Sequence, residues 1–74
     1  MADHFLDASG LKCPLPVLRA RKAMKDLAAG ETIEIRATDP AAEKDFPAFC
    51  EMTGDKLLAA EVTDGGYRFV IRKS

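Results

Sequence analysis

The chain has 74 residues, of which 47% are hydrophobic and 31% are charged, and its net charge at pH 7 is −1. A chain this short has no room for a second domain or a buried cofactor cavity, so we expect a single domain over residues 1–74. The near-neutral charge argues against strong direct binding of nucleic acid, which requires a basic excess. We see no signal peptide and no apolar run approaching the ~20 residues of a membrane span, so we expect a cytoplasmic protein without membrane association.

The two cysteines, Cys13 and Cys50, are expected to be reduced thiols, because nothing in the sequence indicates export to an oxidising compartment. Together with the one histidine they are too few for a structural zinc site, which normally takes four ligands. We therefore expect no metal ion and no organic cofactor.

The first half of the chain predicts a strand, a helix and a second strand. Residues 4–8 form a short apolar segment that ends at Ser9-Gly10, as a strand followed by a turn does. The next segment has apolar residues at helical spacing, and Gly30 supplies a stop for that helix. The apolar side of the helix comprises Val17, Ala20, Met24, Leu27 and Ala28. Residues 31–37 then alternate polar and apolar side chains, which is typical of a half-buried strand.

A second helix is predicted around Pro47. Because proline is tolerated in the first turn of a helix but not in its interior, this helix is expected to begin near Asp45 or Phe46. It is expected to end before Gly54. Its apolar face comprises Phe46, Phe49, Cys50 and Thr53, at spacings of three and four residues. On this face Cys50 is interpreted as a structural core residue.

The end of the chain predicts a hairpin. Residues 56–62 and 67–73 read as strands, and the segment 63–66 between them has the composition of a tight turn. The element order is therefore β-α-β-α-β-β. This order predicts the α+β class: a two-layer sandwich in which a four-stranded mixed sheet carries both helices on one face. The first β-α-β unit favours a parallel pair of strands.

Cys13 is the candidate for chemistry. We place Cys13 at the N-cap of the first helix, with Pro14 at N1 and Pro16 at N3, where two prolines stiffen the turn but also remove N–H donors. The helix start and five basic residues within 12–25 favour the thiolate, which is the nucleophilic form of cysteine. We therefore predict that Cys13 is an exposed, reactive thiol in a motif with Lys12, Pro14 and Pro16: the prolines position the sulfur, and Lys12 and the neighbouring cations favour its thiolate.

Basic side chains beside this motif are candidates for partner docking. They are Arg19, Lys22 and Lys25. Residues 39–55, by contrast, carry five acids and one lysine, so the molecule is electrostatically lopsided in a way that suits oriented docking of an acidic partner. Asp39, which precedes Pro40, is interpreted as an N-cap or a turn former.

The segment 6–17, with the sequence LDASGLKCPLPV, resembles the signature of the TusA family of sulfur-carrier proteins, whose hallmark is C-P-x-P. Looser similarity continues at residues 28–31, 38–41, 45–50 and 67–73. The resemblance implies a two-layer α/β sandwich like the C-terminal domain of translation initiation factor 3. It also implies that Cys13 accepts sulfane sulfur as a persulfide from a donor such as a cysteine desulfurase or a rhodanese. The acceptor would be a sulfur-relay protein serving tRNA thiolation, molybdenum-cofactor supply or sulfur-compound metabolism.

Two other functions stay open at this point. Cys13 could be a redox-sensing thiol that forms a sulfenic acid and then pairs with Cys50, although the apolar face of Cys50 argues against access. Alternatively, the chain could be a regulatory or RNA-contacting module without covalent chemistry, against which the near-neutral charge weighs.

Overall fold

Six elements follow one another in the predicted order β-α-β-α-β-β. The computed structural model describes residues 2–74. Its elements are β1 (His4–Ala8), α1 (Leu15–Met24), β2 (Thr32–Ala37), α2 (Ala42–Thr53), β3 (Lys56–Thr63) and β4 (Gly66–Arg72). Within residues 2–74, neither helix is long and apolar enough to cross a bilayer.

The four strands form one mixed sheet in the order β1-β2-β4-β3. β1 runs parallel to β2, whereas β4 is antiparallel to both β2 and β3. Apolar side chains of the central strands lie side by side, with Ile33 opposite Ile71 and Ile35 opposite Phe69. Buried residues of α1 and α2 join the same core cluster. The predicted four-stranded mixed sheet with two helices on one face is therefore confirmed.

A pair of aromatic rings joins α2 to the sheet. Phe46 and Phe69 are 0% and 1% exposed, and their ring centroids lie 4.6 Å apart in a stacked arrangement. Such a pair contributes about 0.5–1.5 kcal/mol beyond the burial of its surface. This stacking fixes α2 on the sheet. It therefore also fixes the positions of the polar residues that α2 presents near the edge of the sheet.

The opposite face of the sheet carries a cluster of charged side chains that pair with one another. Arg36 lies 2.9 Å from Glu34, and Arg68 lies 3.3 Å from Glu34 and 2.6 Å from Glu61. Exposed pairs of this kind contribute only about 0–1 kcal/mol each. The apolar side chains of Phe5 and Val70 lie opposite Glu34 on the neighbouring strands, so this face is mixed in polarity.

Helix α1 is shorter than the sequence predicts. It ends at Met24, and the N–H groups of the next three residues donate to carbonyls three residues back, so the chain continues in tight turns. Leu27 is still buried, but Ala28 is exposed. Gly30, at φ +91°, does not stop the helix; its N–H donates to the carbonyl of Lys73 at 2.8 Å. The prediction of a helical turn reaching Ala28 is therefore wrong.

Helix α2 begins earlier than the sequence predicts. It starts at Ala42, so Pro47 lies in its interior, where proline costs about 3 kcal/mol. Pro47 and Glu43, whose carbonyl loses its helical donor, are both exposed, so solvent can replace the missing hydrogen bond. On the other side of the helix, Phe46 and Phe49 are buried. Burial of this face therefore decides that the segment is helical, and the rule that placed the start near Asp45 or Phe46 fails here.

The predicted apolar face of α2 is correct for three of its four residues. Thr53 is the exception, because it is exposed. Its hydroxyl donates to Asp55 at 2.8 Å, beside the left-handed Gly54 that ends the helix. Thr53 therefore belongs to the helix terminus and not to the core.

Candidate functional site

Cys13 lies in the turn between β1 and α1, where it is an exposed, free thiol as predicted. The peptide bond from Cys13 to Pro14 is cis. Pro14 has φ −97° and ψ 15°, outside the α-helical region, so it is the N-cap, and Leu15 is the first helical residue. Pro16 is consequently at N2. The predicted positions of Cys13 at the N-cap, Pro14 at N1 and Pro16 at N3 are each wrong by one residue.

The other motif residues have different environments. Pro16 is buried in the first turn of α1, which its ring also stiffens. Lys12 is exposed, and its carbonyl accepts a hydrogen bond from the N–H of Leu15 at 2.8 Å. The backbone around the thiol is thus fixed from the helix side by local contacts.

The turn is also fixed from the side of β2. Because β1 and β2 are parallel neighbours, the segments that follow them meet at the same edge of the sheet. There the N–H of Gly10 donates to the hydroxyl of Thr38 at 2.8 Å, and the N–H of Cys13 donates to Asp39 Oδ2 at 2.6 Å. Asp39 Oδ1 also accepts from the N–H of Ala41 at 3.1 Å. Asp39 is therefore a turn former, as one of its two predicted roles stated, whereas the N-cap of α2 is Ala41.

The thiol of Cys13 has a carboxylate as its partner. Its Sγ donates to Asp45 Oδ2, in α2, at 2.9 Å. This hydrogen bond, followed by desolvation and by the negative charges of Asp45 and Asp39, raises the pKa of Cys13 above its ordinary value. The expectation that the helix start and the cations favour the thiolate is therefore wrong for the free protein, because a carboxylate in direct contact with sulfur outweighs cations elsewhere on α1.

A groove between α1 and α2 opens beside the thiol. It has a volume of about 470 Å³. Cys13 and Asp45 line it together with Arg21, and its apolar lining includes Leu18 and Met52. These last two side chains are 49% and 87% exposed. The sulfur of Cys13 is thus bordered by apolar surface that a partner could cover.

The three predicted docking residues lie elsewhere on the surface. Arg19, Lys22 and Lys25 are exposed, but none of them lines the groove that contains Cys13. Arg21 does, because it lies three residues after Leu18 on the same side of α1. Arg21 could have been predicted, because it follows Pro14 by seven residues, or two helical turns. Our prediction instead selected basic residues on the side of the helix opposite its apolar stripe.

Sequence reasoning also missed the partnership of Cys13 with Asp39 and Asp45. A signal was available, because a parallel β1-β2 pair brings the segments after both strands together. Our prediction assigned Asp39 to an N-cap or turn and Asp45 to the start of a helix, and it counted both acids in a negatively charged region, but it connected neither of them with Cys13. The distance between the sulfur and Asp45 depends on where α2 begins, and the sequence placed that start incorrectly.

Cys50 is the second thiol and is buried as predicted, with 5% of its surface exposed. Burial, with a smaller effect of Asp55, raises its pKa to about 11. Such a thiol is almost entirely protonated at neutral pH. Within residues 2–74, no group of three or more His, Cys, Asp and Glu side chains is placed to hold a metal ion.

Comparison with known proteins identifies the family of the chain. The sequence model of the family described as "Sulfurtransferase TusA" matches residues 4–73. The chain belongs to the TusA family. The resemblance inferred from the C-P-x-P motif is thereby confirmed, and the match extends well beyond the motif.

Two relatives illustrate how far the similarity reaches. The sulfur carrier protein TusA of Allochromatium vinosum is 46% identical over 72 residues, which cover 97% of this chain and 95% of that protein. The crystal structure of a SirA-like protein from Desulfitobacterium hafniense superposes with a TM-score of 0.82 at 27% identity, covering 93% of this chain and 95% of that one. The family's two-layer fold therefore extends over nearly the whole chain.

Proposed function

We propose that this TusA-family chain is a sulfur carrier in which Cys13 holds sulfane sulfur as a persulfide. Family membership supports the carrier function. The observation that carries the assignment to Cys13 is the contrast in exposure between the two thiols: Cys13 is exposed at the C-P-x-P turn, whereas Cys50 is buried. Sulfur transfer requires direct contact between two sulfur atoms, so only the exposed thiol can serve.

The transfer is an exchange between a thiol and a persulfide. Cys13 Sγ attacks the terminal sulfur of a donor R–S–SH; the new S–S bond forms on Cys13 as the donor's own S–S bond breaks. The products are Cys13–S–SH and R–SH, so atoms and protons balance without an external oxidant or reductant. Delivery to the acceptor's cysteine is the same reaction with the roles exchanged. The chemistry needs no metal ion and no organic cofactor.

A donor protein and an acceptor protein follow from this function. We propose a cysteine desulfurase or a rhodanese as the donor and a sulfur-relay protein as the acceptor, serving tRNA thiolation, molybdenum-cofactor supply or sulfur-compound metabolism in the cytoplasm. Two free thiols suit a reducing compartment. The partner must place its cysteine at Cys13, where it would cover the apolar groove that includes Leu18 and Met52. The basic residues Arg19, Lys22 and Lys25, which lie outside the groove, would attract an acidic partner to the surface of α1, and Arg21 would meet it in the groove itself.

Intact-mass spectrometry tests the assignment. The chain is incubated with a cysteine desulfurase and L-cysteine, and we expect a gain of ~32 Da per chain, corresponding to one sulfur atom. The Cys13→Ser variant is expected to gain nothing, and the Cys50→Ser variant, which keeps the same number of thiols as Cys13→Ser, is expected to gain as much as the wild type. A full gain by the Cys13→Ser variant would contradict the proposal.

A further inference from the structure

We propose that Asp45 is a catalytic residue of the sulfur transfer: its carboxylate binds the proton of the Cys13 thiol in the free protein and accepts that proton as sulfur arrives. This inference rests on the proposed function, because it concerns the same sulfur atom. It adds a general base to a site that was otherwise described by a single cysteine.

The geometry required of a general base is present. Asp45 Oδ2 lies 2.9 Å from Cys13 Sγ, within hydrogen-bond reach of the proton to be removed. Both partners are held in place: the N–H of Cys13 is bound by Asp39 at 2.6 Å, and Asp45 precedes the fully buried Phe46 on α2. Asp39 is already occupied by two backbone N–H groups, from Cys13 and Ala41. Asp45 is therefore the carboxylate that receives the thiol.

The charges around the thiol make a proton acceptor necessary. Asp39 and Lys12 face the turn from the loops, Arg21 faces the groove from α1, and Asp45 faces it from α2. The hydrogen bond to Asp45, then desolvation, then the charges of Asp45 and Asp39 raise the pKa of Cys13, so the thiol form is favoured before the donor arrives. A nucleophile held as the neutral thiol must lose its proton during the attack, and the nearest acceptor is Asp45.

The proton can be followed through the whole exchange. As Cys13 Sγ bonds to the terminal sulfur of the donor persulfide, the thiol proton moves to Asp45 Oδ2. The bond between the donor's two sulfurs breaks, and the donor's inner sulfur leaves as a thiolate. That thiolate takes the proton from Asp45, which returns to its ionised state. When Cys13 later passes the sulfur on, the departing Cys13 thiolate is protonated by the same path in reverse.

Two rates measured against pH separate this role from a merely structural one. The first is alkylation of Cys13 by iodoacetamide, which reports the thiolate; the second is the gain of sulfur from glutathione persulfide, followed by intact mass. For Asp45→Asn we expect faster alkylation at neutral pH, with the midpoint moved to lower pH, because the carboxylate that stabilises the thiol is gone. We expect slower sulfur loading, on the order of 10²-fold, because the proton acceptor is gone.

Two further variants complete the design. Glu43→Gln removes an exposed negative charge from the same helix without touching Cys13, and we expect it to leave both rates unchanged. Asp45→Glu keeps a carboxylate, and we expect it to restore part of the loading rate. It also serves as the second variant if Asp45→Asn unfolds, which circular dichroism would reveal.

The results that contradict the role of Asp45 are distinct. If Asp45→Asn accelerates both reactions together, the carboxylate only restrains the thiol and is no base. If neither rate changes, the contact has no chemical role. Both results leave sulfur loading of the wild type intact, so the carrier function would stand. If instead the wild type gains no sulfur on Cys13, the proposed function itself fails.

Discussion

Cys13 lies at an exposed turn between β1 and α1, whereas Cys50 lies on α2 with its side chain in the core. Both thiols have raised pKa values, but the causes differ. For Cys13 the first cause is a hydrogen bond to Asp45, and for Cys50 it is desolvation. A partner or a moving proton can change the hydrogen bond, whereas only unfolding can reverse the burial. The pKa is thus raised for both thiols, although Cys13 is accessible to a partner and Cys50 is not.

The two regions also share helix α2, which serves both at once. Its buried side contains Phe46, Phe49 and Cys50. Outside that buried set, Asp45 accepts the hydrogen bond from the thiol of Cys13. Stability and chemistry are therefore separable by residue along one helix. Variants on this helix can test that separation.

The largest expected effect on stability comes from the buried side of α2. Phe46→Ala removes a fully buried ring stacked on Phe69 and is expected to lower the free energy of unfolding by about 3–5 kcal/mol. Met52→Ala, at an 87% exposed position of the same helix, is expected to change it by less than about 0.5 kcal/mol. Urea denaturation measures both. Equal losses would mean that the two sides of the helix are not distinct, and Phe46→Leu provides a milder variant if Phe46→Ala does not fold.

The second effect is the difference in reactivity between the two thiols. At pH 8, iodoacetamide is expected to modify Cys13 on the order of a hundredfold faster than Cys50, because burial excludes the reagent and keeps Cys50 protonated. Peptide mapping after timed quenching gives both rates from one sample. In a denaturant the two rates should converge, and a failure to differ in the native state would contradict the burial of Cys50.

The third effect is a loss of stability at alkaline pH. The folded state raises the pKa of Cys50 from 9.0 to about 11, so it holds the thiol proton more tightly than the unfolded chain does. The resulting stabilisation is fully present below pH 9 and is lost as pH rises through 11, by about 2–3 kcal/mol in total. Urea titrations at intervals over this range measure it. Cys50→Ala keeps every other titrating group, so its curve should fall less steeply; parallel curves would refute the effect.

The smallest effect concerns Cys50→Ser. A buried hydroxyl is expected to cost about 1–2 kcal/mol relative to the thiol. Sulfur loading of this variant should equal that of the wild type, since the proposed transfer uses Cys13 alone. Mild peroxide treatment of the wild type should likewise give no disulfide between Cys13 and Cys50. An intramolecular disulfide, or a loss of loading, would favour the redox-sensing function over the carrier.

Much of the fold was predictable from local patterns. A short apolar segment before Ser9-Gly10 identified β1, alternation identified β2 and β4, and the composition of residues 63–66 identified the hairpin, whose turn has Gly65 at φ +82°. The errors lie at helix ends. Pro47 was expected to mark the start of α2, yet burial of Phe46 and Phe49 offsets the proline's cost. Local rules fail at such points because packing energies exceed the local preference.

The candidate site was predicted only in part. Cys13 followed from its motif and from the turn before the helix, and its exposure is as expected. The polar contacts of Cys13 could not be predicted from its motif, because Asp39 and Asp45 lie 26 and 32 residues further along the chain. Contacts at that separation depend on the register of β1 with β2 and on the first residue of α2, neither of which periodicity specifies.

The sequence by itself determined which elements form, which family the chain belongs to and which thiol is exposed. These properties depend on residues close together in the chain: the C-P-x-P motif, the alternation of strands and the apolar stripe of each helix. Only the tertiary structure decided the electrostatics of that thiol. A positive charge count near Cys13 predicted a thiolate, whereas the parallel pairing of β1 and β2 brings Asp45 within 2.9 Å of its sulfur. The pKa of the thiol responds to groups nearby in space, and the fold places acids there.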